Sequence, residues 1–226
     1  MRGFIFDFNG TLFRDADYHL RAWKSFAQER CGIDISDENY KKNIEGRNDR
    51  SAITYLLGNE LNDHKILELT EIKEAMYRAL CFSERARMKL TEGAPELFDY
   101  LARHDIPRTI ATASCKSNVD FYVAEFNLSK WFDHSKIIYD DGMIPGKPEP
   151  DFYLRAAEAI GVPPAQCAVA EDSAAGVMSA VSAGIGYIAV VDTPERRGAA
   201  SNMKEVNSVI TSFHEFDRSV FGKAYT

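Results

Sequence analysis

Between Gly93 and Val191 the chain repeats one pattern four times: a segment of helical periodicity, then a short apolar run. Helices over Glu96–His104, about Ser117–Phe126, Asp151–Ile160 and Ser173–Ala183 are expected to precede strands at Thr109–Ala113, Lys136–Tyr139, Cys167–Ala170 and Ile185–Val191. Strands joined through helices run parallel, with right-handed crossovers and helices covering both faces. The early run Gly3-Phe4-Ile5-Phe6 has the same texture and belongs to the same sheet, and Ser208–Phe213 is expected to add a last strand. Between the first strand and the rest, from Asp15 to about Arg87, the texture is helical. Tyr18, Ala22 and Phe26 recur at i, i+4, i+8, and Ile66, Leu69, Ile72, Met76 and Leu80 form a second stripe. The expected organisation is an α/β core of residues 1–13 and 89–226, interrupted by a helical insertion over 14–88.

The strand ends carry chemistry. The first strand runs into Asp7-Phe8-Asn9-Gly10-Thr11-Leu12. That places a carboxylate at the C-terminal edge of a parallel sheet, where open α/β folds bind ligands. Asp7 can act there as a nucleophile toward phosphorus, and the backbone that follows can donate N–H groups to phosphate oxygens. An ordinary turn, with Asp and Asn capping it, explains the same six letters taken alone. Three further segments weigh against that reading. Thr112 and Ser114, with nearby N–H groups such as that of Ala113, can hold a phosphate, although a strand Thr and a helix-capping Ser are the plain alternative. In Gly146-Lys147-Pro148-Glu149-Pro150-Asp151, the prolines stiffen the approach to a helix and Lys147 offers a point charge to a phosphoryl group and to Asp7. In Ala168-Val169-Ala170-Glu171-Asp172-Ser173-Ala174-Ala175-Gly176, two adjacent carboxylates suit a hard cation with oxygen ligands, or a helix dipole.

In order and in residue type these segments resemble the four motifs of the haloacid dehalogenase superfamily, the third almost letter for letter. The resemblance implies a Rossmann-like parallel sheet core with an inserted all-helical cap domain. It implies Mg²⁺ held by Asp7, the main-chain carbonyl of Asn9 and Asp172, with Glu171 beside it or bridging through water. Asp7 would be the nucleophile, Lys147 would offset charge, and Thr112, Ala113 and Ser114 would bind phosphate. The insertion resembles the cap of the β-phosphoglucomutase and phosphoglycolate phosphatase branch. Asp15-Ala16-Asp17-Tyr18-His19-Leu20-Arg21-Ala22-Trp23-Lys24 matches the cap entry of that branch, with His19 as a gating residue. Lys73 falls where a cap lysine contacts sugar phosphate; the Glu45–Arg50 loop sits where a phosphate-binding arginine is placed, in a different register, so that Arg47, Arg50 or neither fills that role. For His19 and Trp23 helix packing is the alternative; for Lys73 it is a solvated helix face.

The chain departs from the first motif at one place, since Asn9 stands where that motif has its second Asp. That Asp is the family's general acid/base, and an amide cannot carry a proton back and forth. The expected function is a Mg²⁺-dependent phosphatase, a phosphoric monoester hydrolase acting on a small phosphorylated metabolite (a sugar or small-acid phosphate) through an aspartyl-phosphate. A hexose-phosphate mutase and a catalytically weak phosphometabolite binder stand as alternatives.

Charge and composition exclude other classes. A net charge of −7 over 226 residues, with no basic stripe, argues against a nucleic-acid partner. Cys31, Cys81, Cys115 and Cys167 lack metal-ligand spacing and read as reduced thiols of a cytoplasmic protein. The only early apolar run is the strand before Asp7, too short for a signal peptide or a bilayer span, so no membrane association is expected. A monomer or weak homodimer is expected.

Overall fold

The computed structural model describes residues 1–45, 47–58, 61–193 and 198–222. Its strands are β1 (Gly3–Phe6), β2 (Arg108–Cys115), β3 (Ile138–Asp140), β4 (Cys167–Glu171), β5 (Tyr187–Val191) and β6 (Ser208–Ile210). Its helices are α1 (Ala16–Cys31), α2 (Asp37–Asn43), α3 (Asp49–Leu57), α4 (Asp63–Ser83), α5 (Ala94–Arg103), α6 (Lys116–Glu125), α7 (Asp151–Ile160) and α8 (Ala174–Ser182). The chain divides into two compact units, Met1–Arg14 with Lys89–Thr226, and Asp15–Met88.

In the first unit the six strands form one parallel sheet in the order β3-β2-β1-β4-β5-β6. That is the doubly wound, Rossmann-like order, whose direction of winding reverses between β1 and β4. Every residue of β1 is buried, which its unbroken apolar letters require of a central strand. Alternate side chains serve opposite faces. Phe4 and Phe6 stack on one face, centroids 4.1 Å apart, with Phe98, Phe132, Phe213, Phe216 and Phe221 around them. Ile5 enters the core of the other face with Phe152, Tyr153, Ala156, Val169, Val177 and Ile188.

The expected strands are present, with shifted ends. β2 runs on to Cys115, so Thr112 and Ser114 lie within it. Lys136 closes a 3₁₀ turn over His134–Lys136, started by the Asp133 carboxylate accepting from the Ser135 amide, so β3 begins only at Ile138. The Ile185 amide still bonds back to the Ala180 carbonyl at the end of α8, which delays β5 to Tyr187. β6 stops at Ile210 because the Glu215 carboxylate takes the Thr211 amide.

Among its described residues the second unit has helices and no strand. Ser36, Asn48 and Asn62 cap α2, α3 and α4, each side chain accepting from an amide three residues on. Trp23, Phe26, Ala27, Ile35, Tyr40, Ile44, Ile53, Ile66 and Leu69 make its core. In α4 the stripe differs from the expected one in its second half. Ile72, Met76 and Leu80 are only half-buried, and Lys73, Glu74, Tyr77 and Cys81 take the inner face. Lys73 is therefore not on a solvated face; it is 1% exposed. Mutual charge pairing lets two ionic side chains occupy that position.

Candidate active site

The winding reversal leaves a crevice at the carboxyl ends of β1 and β4, and the reactive side chains of the first unit gather there. The Asp7 amide donates to the Ala170 carbonyl at 3.0 Å, extending the ladder one residue beyond β1 and bringing Asp7 level with the end of β4. Gly10 follows at φ +79°, and a Cβ there would lie 2.1 Å from Asp172 Oδ2. Both the backbone conformation and the close approach demand glycine. Thr11, fully buried, donates its hydroxyl to Asp172 Oδ1 at 3.3 Å.

Glu171 organises the other side. Its Oε1 accepts from Lys147 Nζ at 2.5 Å and from the Tyr153 hydroxyl at 2.9 Å. Its Oε2 accepts from the amides of Asp172 and Ser173, each at 2.9 Å, and from the Ser173 hydroxyl at 3.0 Å. Ser173 also caps α8, accepting from the Gly176 amide at 3.0 Å. A Cβ on Gly176 would fall 1.7 Å from Glu171 Oε1, so the first turn of α8 is pressed against this carboxylate. Lys147 Nζ reaches Asp7 Oδ1 at 2.7 Å and thus bridges the two acids.

Electrostatics separate these acids. Burial pushes Asp7 up to about 7, with Glu171's charge adding to the rise and Lys147 opposing it. Burial acts on Glu171 in the same sense, but Lys147, the Ser173 amide and the Tyr153 hydroxyl outweigh it and hold its carboxyl below the ordinary range. Burial would lower Lys147, and Asp7 and Glu171 more than reverse that, so its ammonium is held well above the usual lysine value. Glu171 keeps its charge, and Asp7 is the acid that exchanges a proton near neutrality.

Asp7, Glu171 and Asp172 offer carboxylate oxygens all within 4.8 Å of one another, a donor set suited to a hard divalent cation. Both Glu171 oxygens are already engaged by protein donors, so it shapes the site more than it offers a ligand atom.

Asn9 is tied into the sheet. Its Nδ2 donates to the Tyr122 hydroxyl at 2.8 Å, and its Oδ1 accepts from Thr112 at 3.2 Å and from Ser114 at 2.6 Å. Thr112 Oγ1 in turn accepts the Ser114 amide at 3.1 Å. The two hydroxyls expected to face phosphate are thus joined to the Asn9 amide, with Ala113 exposed between them.

In the helical unit, His19, Trp23 and Lys73 come together. Lys73 Nζ pairs with Glu74, lies 3.4 Å from Asp49 Oδ1 and 3.5 Å from His19 Nδ1, and sits 4.9 Å from the centre of the Trp23 ring. His19 stacks on Tyr77, centroids 4.1 Å apart, and its Nε2 is 3.3 Å from Asp15 Oδ2, which also accepts the Tyr77 hydroxyl at 2.6 Å. The two arginines do not join this cluster. Arg47 is exposed and donates to the Lys42 carbonyl at 3.3 Å, and Arg50, also exposed, pairs with Asp63 at 2.8 Å. Gly46 of that loop lies outside the described residues.

Sequence reasoning missed Thr11, Tyr122, Tyr153 and Ser173 as partners of the site. A signal existed for the tyrosines: both fall on the buried faces of their helices, where a phenolic hydroxyl needs a partner.

A buried acid, a lysine and two further acids meeting at the switch point of a doubly wound sheet define an α/β enzyme. A model of the haloacid dehalogenase-like hydrolases matches residues 1–184, and the chain belongs to that family. It is 32% identical to protein CbbY of Rhodobacter capsulatus over 82% of this chain and 83% of that one. It is 27% identical to hexitol phosphatase A of Escherichia coli strain K12, over 95% and 92% of the two chains. Among solved structures, a family IA, variant 3 haloacid dehalogenase hydrolase from Entamoeba histolytica superposes with a TM-score of 0.90 at 34% identity, covering 98% of this chain and 97% of that one. The enzymatic class is that of the phosphoric monoester hydrolases. Among the described residues no helix is long and apolar enough to cross a membrane.

Proposed function

We propose that the chain is a divalent-cation-dependent phosphatase of a small phosphorylated metabolite, working through an aspartyl-phosphate on Asp7. The observation that carries this reading is Lys147 Nζ held 2.7 Å from Asp7 Oδ1 and 2.5 Å from Glu171 Oε1, beside Asp172. An Asp7 carboxylate oxygen attacks phosphorus in line, and the bond to the ester oxygen breaks as the acyl phosphate forms. Lys147 offsets the repulsion between an anionic nucleophile and an anionic phosphoryl group. Water then attacks the same phosphorus, releasing inorganic phosphate and the Asp7 carboxylate. Asp7, Asp172 and the Asn9 main-chain carbonyl would hold Mg²⁺, which supplies further charge neutralisation when bound. The residues 15–88 act as a mobile cap that excludes water in the first step.

Asn9 limits this chemistry. A positioned proton donor or acceptor is worth roughly 10²–10⁴ in rate, or about 3–5 kcal/mol. The leaving oxygen receives no proton from an amide, so aryl and acyl phosphates are the substrates this site handles best. A hexose-phosphate mutase is the second reading, favoured by the meeting of His19 and Lys73 and opposed by Asn9, because a mutase moves protons at two hydroxyls. Hydrolysis of an aryl phosphate with Mg²⁺, set beside interconversion of glucose phosphates with a bisphosphate primer, tests both. Aryl hydrolysis without interconversion supports the phosphatase; interconversion overturns it. Phosphate binding without either reaction leaves a regulatory binder in its place.

A further inference from the structure

We infer that Tyr153 is a positioning residue for Lys147, keeping its ammonium shared between Glu171 and Asp7. The inference rests on the phosphatase reading, in which Lys147 must reach the phosphoryl group at Asp7. Tyr153 is fully buried on α7, three positions beyond the Pro150 that starts the helix. Its hydroxyl donates to Glu171 Oε1 at 2.9 Å, the same oxygen that receives Lys147. Its ring centre lies 5.0 Å from Lys147 Nζ, within cation–π range. One side chain therefore touches both members of the ion pair, each through a different physical interaction.

The consequence follows from competition at one oxygen. Lys147 is shared between the Glu171 carboxylate, 2.5 Å from its Nζ, and the Asp7 carboxyl, 2.7 Å from it. The phenolic proton occupies part of the electron density of Glu171 Oε1, which weakens the hold of that acid on the ammonium. The ring supplies a third, uncharged attraction for the ammonium. Without the hydroxyl, Glu171 takes a larger share of Lys147, and the charge moves away from the reacting phosphorus. An apolar core face would accept phenylalanine equally well at this place, so the hydroxyl is the part of Tyr153 that packing does not explain.

Tyr153→Phe removes the hydroxyl and keeps the ring; Tyr153→Leu removes both. With an aryl phosphate and saturating Mg²⁺, Tyr153→Phe should lower kcat about tenfold with KM within about twofold, the signature of an interaction made in the transition state. Tyr153→Leu should lower it by about a further tenfold. Independently of turnover, the Lys147 ammonium resonance in protein carrying isotope-labelled lysine should shift in Tyr153→Phe without added cation. An unmoved Lys147 resonance and an unchanged kcat in that variant overturn the inference. So does a kcat that falls only in step with the folded fraction while the resonance stays in place. If the wild-type protein shows no turnover dependent on Asp7, the phosphatase reading fails, and the Lys147 resonance still decides the role of Tyr153.

Discussion

Each unit of the molecule buries one lysine between two acids and beside an aromatic ring. In the sheet unit it is Lys147, between Asp7 and Glu171 with Tyr153 beneath it. In the helical unit it is Lys73, between Glu74 and Asp49 with Trp23 beneath it. Burial would lower Lys73, and Asp49 and Glu74 more than reverse that, so it too is held above the ordinary lysine value. The difference lies in what anchors the acids. Glu171 is fixed by main-chain amides at the start of α8, and Asp7 by the backbone ladder of β4. Glu74 neighbours Lys73 on the same helix, at a spacing where side chains do not normally face one another. The first cluster is built by backbone; the second depends on how helices pack.

The sharpest way to break that contrast is to replace Asp7, the proposed nucleophile. Asp7→Asn should abolish aryl-phosphate turnover, by at least about 10⁴, and abolish trapping of a beryllofluoride adduct, while circular dichroism stays that of the wild type. Retained turnover would move the chemistry away from the sheet edge altogether.

Next in size is the return of a carboxyl at position 9. Asn9→Asp should raise sugar-phosphate turnover by roughly 10²–10⁴, and raise aryl-phosphate turnover much less. The structure adds a refinement. Thr112 and Ser114 donate to this side chain and the Tyr122 hydroxyl accepts from it; toward a carboxylate at position 9 all three hydroxyls would donate and favour its ionised form. Tyr122→Phe added to Asn9→Asp should therefore extend sugar-phosphate hydrolysis to higher pH, read from the upper limb of the pH–rate profile. Asn9-Gly10 is also a pair prone to deamidation, so intact-mass analysis should accompany every rate. Equal sugar-phosphate rates in freshly made wild-type and Asn9→Asp protein would show that position 9 is not the proton-transfer site.

The helical cluster should respond in stability. Lys73→Met leaves Glu74, which is buried, and the partly exposed Asp49 without their shared cation; stranding the buried Glu74 charge costs about 3–5 kcal/mol at neutral pH. Urea unfolding followed by Trp23 fluorescence, with Trp131→Phe removing the second tryptophan, measures it. A loss under about 1 kcal/mol would mean that Lys73 is no better paired than a surface residue.

The contrast also explains what could be read from the letters. The sheet unit was legible because each strand and the turn after it are contiguous: Asp7, Lys147, Glu171 and Asp172 all follow short-range signals. The parallel sheet was legible too, from four helix–strand repeats and an isolated first strand; its strand order, and so the reversal between β1 and β4, was not. Tyr122 and Tyr153 were missed because helical periodicity marks them as core and is silent about where a hydroxyl ends. In the helical unit, Lys73 was assigned a role or a solvated face, and neither reading foresaw its burial beside Glu74. Packing between α1, α3 and α4 brings His19, Asp49 and Lys73 together, and no local pattern encodes that meeting. Arg50 illustrates the converse: the resemblance offered it for phosphate, and in the structure it pairs with Asp63, thirteen residues on.

The smallest expected effect is a pH dependence that belongs to the sheet unit. Without a cation, Asp7 has its pKa raised to about 7 in the folded chain, against about 3.9 for an aspartate in the unfolded chain. The folded state then binds this proton more tightly than the unfolded state, so the contribution of Asp7 to stability is largest at low pH. It is lost as pH rises from about 4 through 7, because the ionised carboxylate is buried. A divalent cation needs that carboxylate ionised and must displace the proton to bind. Its apparent affinity should fall up to about tenfold per pH unit below about 7 and level off above. The rise in Tm on adding Mg²⁺ should accordingly be larger at pH 8 than at pH 6, and the difference should vanish in Asp7→Asn. Lys73 stays protonated across that whole range, so Lys73→Met should leave the pH dependence of the Mg²⁺ effect in place. A Mg²⁺-induced shift in Tm that is the same at both pH values would show that the cation does not bind through Asp7.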